Sequence, residues 1–257
     1  METSGKASNM RRIGLLVPSS NTTVEPEFYR ALPAHVTLHV ARLHLAQITP
    51  ESILRMVEDL EAQSRNLASA DVDVIVLGAT APSFLKGLGY DREIARRIES
   101  STGKRATTTS TALIEAIRHL GLKRIVLGSA YDEKVNAIAR SFLEANGVTV
   151  LEAHGLGLVD NLAVGRLDDE SAYELTRKID RPDADGIVLA CTNWKTMGAI
   201  ERLEMELGKP VISTTQVSVW AALRILGENE GVPGYGRLLR DLPFPARERQ
   251  LSTNLPA

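Results

Sequence analysis

Cys191 is the only cysteine among the 257 residues of the chain, and its position favours a chemical role. It follows an apolar run at 186–190 and precedes a stretch at 195–207 with helical periodicity. A thiol at the N-terminus of a helix has a lowered pKa, so this position predicts a reactive thiol. A buried structural cysteine is the alternative, because a free cysteine often packs as a small apolar residue.

A second segment of the chain closely matches the one that carries Cys191. Residues 71–81 read D-V-D-V-I-V-L-G-A-T-A and residues 183–193 read D-A-D-G-I-V-L-A-C-T-N, so that Ala79 stands where the second copy has its thiol. The two segments are 112 positions apart (183 − 71 = 112), and two apolar runs that contain Ile13 and Ile125 have the same offset (125 − 13 = 112). The shared offset predicts two similar halves.

Neutral hydrogen-bonding groups follow the apolar runs, at the places where parallel sheets bind their ligands. They are the hydroxyls of Ser19, Thr80 and Thr192, the phenol of Tyr131 and the amide of Asn161. Such groups can hold a carboxylate or a developing enediolate. Helix capping and turn formation are the alternatives for the Ser, Thr and Asn residues, and the spacing of Thr22 and Glu25 predicts a capping box.

The charge and composition of the chain argue against several functional classes. Lys and Arg total 30 against 32 Asp and Glu, so there is no basic surplus that would favour nucleic acid or an anionic membrane as a partner. With no apolar run of membrane-spanning length and no apolar signal core, we expect a cytoplasmic protein. The sequence has neither zinc-like Cys/His spacing nor a glycine-rich phosphate loop, and we expect no metal and no other cofactor.

Short apolar runs alternate with amphipathic stretches of helical length. We expect strands at 13–18, 36–41, 72–78, 124–128, 148–152, 186–190 and 210–213, and helices at 51–69, 91–101, 111–120, 133–146, 169–179, 195–207 and 216–226. Such apolar strands are covered on both faces, which predicts an α/β fold of two Rossmann-like, doubly wound parallel-sheet halves related by a pseudo-two-fold axis. The active site then lies in the cleft between the halves, with Ala79 and Cys191 on opposite walls.

The repeat also suggests where the two halves begin and end. We expect a first half at 11–118 plus 214–240, a second half at 119–213, and flexible termini at 1–10 and 241–257. A third match supports the repeat: residues 103–110 (G-K-R-A-T-T-T-S) resemble residues 208–215 (G-K-P-V-I-S-T-T), at an offset of 105 that a change in loop length would explain (208 − 103 = 105).

Several segments resemble those of known enzymes. V-P-S-S-N-T-T-V-E-P-E-F (17–28) is similar to the opening of maleate cis–trans isomerases. G-A-T-A-P-S-F-L-K-G (78–87), S-A-Y-D-E-K-V-N (129–136), P-G-Y-G-R-L (233–238) and the Cys191 loop resemble segments of arylmalonate decarboxylases. From about residue 11 to 240, the chain is identified as a member of the aspartate/glutamate/hydantoin racemase superfamily, which implies an active site between two Rossmann-like halves.

The resemblance implies roles for individual residues. Racemases and maleate isomerases of the superfamily use two cysteines, one in each half, whereas arylmalonate decarboxylases keep only the second. This chain has Ala79 at the first position, so it resembles the decarboxylases in its single thiol. On the decarboxylase pattern, the groups implied to bind a carboxylate or oxyanion are Thr80, Tyr131 and the backbone at Ala81, Cys191 and Thr192. On the isomerase pattern, they are Asn21, Asn161 and Tyr131. The decarboxylases have a hydroxyl at the position of Ala81, which this chain lacks.

These observations favour a cofactor-free carbon–carbon lyase: a decarboxylase of a malonate-type, arylmalonate-like diacid in which Cys191 protonates an enediolate from one side. A maleate cis–trans isomerase-like enzyme is the first alternative, in which Cys191 would act without a second thiol at Ala79. A non-catalytic diacid-binding homologue is the second. In each case the partner is a small mono- or dicarboxylate, and the sequence is compatible with a homo-oligomer.

Overall fold

The computed structural model describes residues 10–45 and 47–242 and contains two parallel sheets of four strands each. The first sheet consists of Arg11–Pro18 (β1), Val36–Leu43 (β2), Val74–Leu77 (β3) and Arg105–Thr108 (β4), in the spatial order β2-β1-β3-β4. The second consists of Arg124–Ser129 (β5), Thr149–Gly155 (β6), Gly186–Ala190 (β7) and Val211–Ser213 (β8), in the order β6-β5-β7-β8. The predicted α/β fold with two parallel-sheet halves is confirmed.

Helices flank both sheets. They are Val24–Ala31 (α1), Pro50–Met56 (α2), Leu60–Ala68 (α3), Thr80–Phe84 (α4), Tyr90–Thr102 (α5), Thr109–His119 (α6), Glu133–Ala145 (α7), Asn161–Gly165 (α8), Asp169–Ile179 (α9), Met197–Leu207 (α10), Thr214–Leu226 (α11) and Arg237–Arg240 (α12). Within the described ranges, none of them is long and apolar enough to span a membrane.

Several elements differ from the sequence-based prediction, which did not include the short helices α4, α8 and α12. The single helix expected at 51–69 is divided into α2 and α3 by a 3-10 turn at Val57–Asp59. Strand β4 was not predicted, because its sequence R-A-T-T is largely polar. Its last threonine, Thr108, is nevertheless fully buried and its hydroxyl caps α6 by accepting a hydrogen bond from the Thr111 N–H.

The sequence repeat corresponds to a structural repeat. The two sheets have the same strand order, with β1 and β5 in equivalent positions. The third sequence match falls on equivalent helix ends: Gly103 and Gly208 both end a helix in the left-handed conformation, each with a φ of 68°. Thr108 and Ser213, also 105 residues apart (213 − 108 = 105), are the side-chain N-caps of the helices that follow. The repeat therefore extends to the loops.

The strand order determines where the site lies. In each sheet, the second strand lies on one side of the first strand and the third strand lies on the other side, so the strand order reverses at the first strand. This reversal opens a crevice beyond the carboxyl ends of β1 and β3 in the first sheet, and of β5 and β7 in the second. The two crevices meet, because the Thr192 hydroxyl after β7 donates a 3.1 Å hydrogen bond to the Gly78 carbonyl after β3.

The predicted division into halves stays a prediction. It assigns α11 to the first half, and α11 packs against α1 and α6 of that half. Most of the predicted flexible termini, residues 1–9 and 243–257, lie outside the described residues.

Candidate active site

Cys191 lies directly after β7, in a tight and strained turn. Its φ of 117° is a conformation that residues other than glycine rarely adopt, and such strain is concentrated at functional sites. The turn is closed by a 3.1 Å hydrogen bond from the Trp194 N–H to the Cys191 carbonyl. The Cys191 N–H donates to the Thr214 hydroxyl at 3.2 Å, so this N–H, which the resemblance implied as an oxyanion donor, already has a partner.

The predicted lowering of the Cys191 pKa is wrong. Helix α10 begins only at Met197, so the thiol does not lie at a helix N-terminus. Instead, the residue is only 5% exposed, and burial raises the pKa of the thiol from 9.0 to about 11. The N–H groups of Asn193 and Trp194 and the Tyr131 hydroxyl offset part of this rise. The thiol therefore keeps its proton at neutral pH, as a proton donor requires.

Tyr131 brings a second buried acid next to the thiol. It follows β5, and its N–H donates to the Ser129 hydroxyl at 3.1 Å. Its ring packs edge-on against Phe84, with 6.4 Å between the ring centroids. Burial, followed by the nearby charge of a Cys191 thiolate, raises the pKa of Tyr131 well above its usual value. Phenol and thiol are thus both neutral, and they lie beside the Thr80 hydroxyl.

Thr80 begins α4 at the end of β3, and its hydroxyl is available to a ligand. The residue is 3% exposed, and its Oγ1 makes no hydrogen bond of full geometry among the described residues, although it lies near enough to the Tyr131 hydroxyl to oppose the rise of the phenol pKa. Such an atom is costly to bury unless something binds it. The backbone here is held firmly, because Ser83 and Ser110 both donate to the Thr80 carbonyl, at 2.9 and 3.2 Å. Ala79 and Ala81 on either side contribute only methyl groups and backbone.

Asn21 and Thr192 join the two halves at the edge of the site. The Asn21 amide donates to the Thr192 hydroxyl at 3.2 Å. Its Oδ1 accepts hydrogen bonds from the N–H groups of Thr23 and Val24, both at 2.9 Å, and thereby caps α1. The predicted capping box of Thr22 and Glu25 is therefore wrong. Glu25 instead accepts a 2.8 Å hydrogen bond from the Arg42 guanidinium.

Asn161 lies on the same side of the site and contacts the loops around it. Its amide donates to the Ser20 hydroxyl at 2.8 Å, and its carbonyl accepts from the Asn193 amide at 2.6 Å. The close approach of Asn193 depends on Gly165, whose Cβ, if it had one, would lie 3.2 Å from the Asn193 amide nitrogen and 2.4 Å from the Thr22 hydroxyl. A side chain at Gly165 would push these loops apart.

The predicted site residues enclose a narrow cavity of about 30 Å³. Its lining residues are Pro18, Asn21, Leu45, Ile48, Ile53, Ala79, Thr80, Ala81, Pro82, Tyr131, Asn161, Cys191, Thr192 and Asn193. None of them carries a formal charge at neutral pH, and one side is an apolar wall of Leu45, Ile48, Ile53 and Pro82. This volume is far below that of the pockets in which proteins usually hold small organic ligands.

Ser19 is the predicted site residue that does not line the cavity. Its Oγ accepts a 2.9 Å hydrogen bond from the Leu45 N–H, and Ser20 donates to the Leu45 carbonyl. Ser19 thus holds the apolar wall to the end of β1. Within residues 10–45 and 47–242, no three His, Cys, Asp or Glu side chains are close enough together to hold a metal ion.

Sequence reasoning missed the apolar lining residues Leu45, Ile48 and Ile53, and it also missed two polar residues that shape the site. Thr214 accepts the Cys191 N–H, and the match between 103–110 and 208–215 could have marked its position at a strand end. Glu27 is buried on α1, at the spacing of the apolar residues Val24, Phe28 and Ala31. A carboxylate on the apolar face of a helix was the signal that could have singled it out.

Comparisons with known proteins show which enzymes the chain is similar to. The family model described as arylmalonate decarboxylase matches residues 13–239. The maleate isomerase of Geobacillus stearothermophilus is 31% identical over 242 residues (89% of this chain, 96% of the relative), and the arylmalonate decarboxylase of Bordetella bronchiseptica is 31% identical over 229 residues (88% and 95%). Three further curated relatives are maleate isomerases.

A solved structure shows the same fold. A mutant of Nocardia farcinica maleate cis–trans isomerase, in which serine replaces a cysteine and which contains a covalently bound succinylcysteine intermediate, is 28% identical with a TM-score of 0.87, over 91% of this chain and all of that one.

Proposed function

The chain belongs to the arylmalonate decarboxylase family, and from this premise we propose that it is a cofactor-free decarboxylase of a malonate-type diacid. The observation that carries the proposal is the asymmetry of the cavity. Cys191 supplies a buried, protonated thiol on one side, while Ala79, at the matching position of the other half, supplies only a methyl group. A site with one proton donor suits protonation of a carbanion from one face.

Neutral groups would hold the carboxylate that remains on the substrate. The Thr80 hydroxyl and the Tyr131 phenol lie beside the thiol, and the N–H groups of Thr80 and Ala81 start a helix and therefore have no acceptor within it. As CO2 leaves, negative charge moves onto this carboxylate to form an enediolate, and donors already in position stabilise it. Asn21, Asn161 and Thr192 would complete the binding of the substrate from the other side.

The proposed reaction has two chemical steps. First, the bond between the α-carbon and the leaving carboxylate breaks, its electron pair passes to the α-carbon, and CO2 and an enediolate are formed. Loss of the carboxylate is favoured next to the apolar wall of Leu45, Ile48 and Ile53, where its charge is poorly solvated. Second, the Cys191 thiol gives its proton to the α-carbon, which leaves a monoacid and a thiolate. The thiolate then takes a proton from water.

Isomerisation of a maleate-type diacid is the second candidate, because four of the five curated relatives are maleate isomerases. That reaction would need a nucleophile to add to the double bond and permit rotation. Here Cys191 would have to add alone, and the raised pKa of its thiol leaves little thiolate at neutral pH. The buried thiol is better suited to donating a proton.

The test is product analysis in D2O. Phenylmalonate, methyl-phenylmalonate and maleate are each incubated with the protein, and the products are followed by NMR. A monoacid with one deuterium at the α-carbon, formed as a single enantiomer from methyl-phenylmalonate, supports the decarboxylase. Fumarate from maleate without decarboxylation refutes it in favour of the isomerase, and binding without turnover refutes both. The cofactor-free reaction, the cytoplasmic location and the lack of nucleic-acid or membrane partners stay predictions from the sequence.

A further inference from the structure

Glu27 is a buried carboxylate that lies outside the cavity and links the two halves. It is on α1 and is 1% exposed. Its Oε1 accepts hydrogen bonds from the N–H groups of Thr196 and Met197, both at 3.2 Å. These residues begin α10, and Thr196 makes no capping bond with its own side chain. Glu27 therefore caps a helix of the second half from the first half, where a negative charge is favourable.

The surroundings of Glu27 are polar but incompletely paired. Its Oε2 and the hydroxyls of Thr23, Thr196 and Thr215 make no hydrogen bond of full geometry among the described residues, but the Thr215 hydroxyl lies near enough to the carboxylate to oppose the rise of its pKa. On the neighbouring helices, α11 presents Thr215 and α9 presents Asp169, whose Oδ1 accepts the Gly198 N–H at 3.1 Å. Burial raises the pKa of Glu27 to about 7, and the charge of Asp169 adds to the rise while the N–H groups at Oε1 oppose it.

The α10 end that Glu27 holds is also the end of the Cys191 loop. Five residues, 192–196, separate Cys191 from Met197. The segment around Glu27 holds this loop at a second point, because the Thr22 N–H donates to Asn193 Oδ1 at 2.8 Å. The strained turn at Cys191 thus lies at one end of a short loop whose other end is fixed by Glu27.

We propose that Glu27 is a positioning residue for the reaction at Cys191: by capping α10, its carboxylate fixes the loop that places the thiol against the α-carbon. The inference rests on the proposed function, because it assigns the residue a purpose in that reaction. Glu27 does not line the cavity, so its effect reaches the thiol through the backbone from Met197 back to Cys191.

Two substitutions separate positioning from simple packing. Glutamine keeps an oxygen that can accept the Thr196 and Met197 N–H groups, and its amide can donate to the neighbouring threonine hydroxyls. Methionine has a similar size but no oxygen. We expect Glu27→Gln to keep kcat within about threefold of the wild type, and Glu27→Met to lower kcat by about tenfold or more with little change in KM, since a misplaced group loses transition-state stabilisation. Glu174→Gln, at an exposed glutamate of α9, is the matched control.

Labelling of the thiol tests the loop without any substrate. Cys191 is the only cysteine of the chain, so the rate of reaction with an uncharged maleimide reports on this thiol alone. We expect Glu27→Met to raise the rate by about fivefold or more, and Glu27→Gln to leave it near the wild-type rate, because a released loop exposes a buried thiol. If the wild type turns over no diacid, the proposed function fails, while the labelling rates still decide whether Glu27 fixes the loop.

Amide NMR covers the case in which Glu27→Met does not fold. In the wild type, the Met197 amide signal should move as Glu27 titrates near neutral pH, together with the signals of Thr192 and Asn193, and none of these movements should occur in Glu27→Gln. A Met197 signal that titrates while the Thr192 and Asn193 signals stay fixed overturns the proposal. So does a Glu27→Met protein with wild-type kcat and labelling rate, or a Glu27→Gln protein as impaired as Glu27→Met.

Discussion

Replacing Glu27 with glutamine should change how the stability of the protein depends on pH. Burial raises the pKa of this carboxyl from 4.5 to about 7 in the folded protein. Between pH 4.5 and about pH 7, the folded state therefore holds a proton that the unfolded state has lost. The free energy of unfolding therefore falls as pH rises from about 4.5 to about 7, and the loss is complete above that range. Glutamine cannot ionise and removes this dependence.

The size of the effect follows from the two pKa values. Each pKa unit corresponds to about 1.4 kcal/mol, so the complete loss is about 3 kcal/mol, and most of it falls between pH 5 and pH 8. Relative to Glu27→Gln, the wild type should thus become less stable by about 2 to 3 kcal/mol over this interval. Other titrating groups are common to both proteins and cancel in the difference.

Urea unfolding at pH 5, 6, 7 and 8 measures this difference. Trp194 and Trp220 are fully buried, so their fluorescence reports on unfolding, and circular dichroism provides a second probe of the same transition. Glu174→Gln removes an exposed carboxylate from α9 and should run parallel to the wild type. If Glu27→Gln also runs parallel to the wild type from pH 5 to pH 8, the carboxyl does not titrate near neutral pH and this reasoning is refuted.

Three further predictions concern the thiol and the opposite wall. Cys191→Ala should lower kcat by about 10³-fold or more with an unchanged circular dichroism spectrum, since it removes the proton donor; turnover at the wild-type rate would exclude that role. Ala79→Cys should add an acid on the other wall, and NMR in D2O should then show racemisation and α-proton exchange of an arylpropionate-like acid; a single enantiomer without exchange would contradict the facing-walls geometry. The difference in 240 nm absorbance between the wild type and Cys191→Ala, in which the ionising tyrosines cancel, should rise with a midpoint near pH 11, as burial requires, and a midpoint below pH 8 would contradict the buried, protonated thiol.

Much of the fold could be predicted because apolar patterning reports directly on burial. The strand at 186–190 and the helix at 169–179 were predicted with the bounds that the structure has, the strand from its continuous apolar run and the helix from its helical period. Strand β4 was not predicted because its buried residues are threonines rather than apolar residues, and the hydroxyl of Thr108 is satisfied by hydrogen bonds that periodicity cannot reveal. The cap of α1 escaped for a related reason, because Asn21, rather than Thr22, accepts its first N–H groups.

The candidate site shows the same limit. The repeat placed Ala79 and Cys191 at equivalent strand ends, and in the structure both line one cavity with Thr80 and Tyr131, because the strand ends of the two sheets meet. It could not reveal that Ser19 binds the backbone of Leu45 outside the cavity. A side chain at a strand end can turn either towards the cleft or towards its neighbours, and only packing selects between the two.

The sequence by itself determined the two-halved parallel-sheet fold, the single thiol and its missing counterpart at Ala79, because these depend on residue types and their spacing along the chain. Only the tertiary structure decided the ionisation of the site. The pKa of Cys191 is raised rather than lowered, and Glu27 titrates near neutral pH, because both depend on how much water and which N–H groups surround the atom. Those neighbours come from distant parts of the chain and are brought together only by folding.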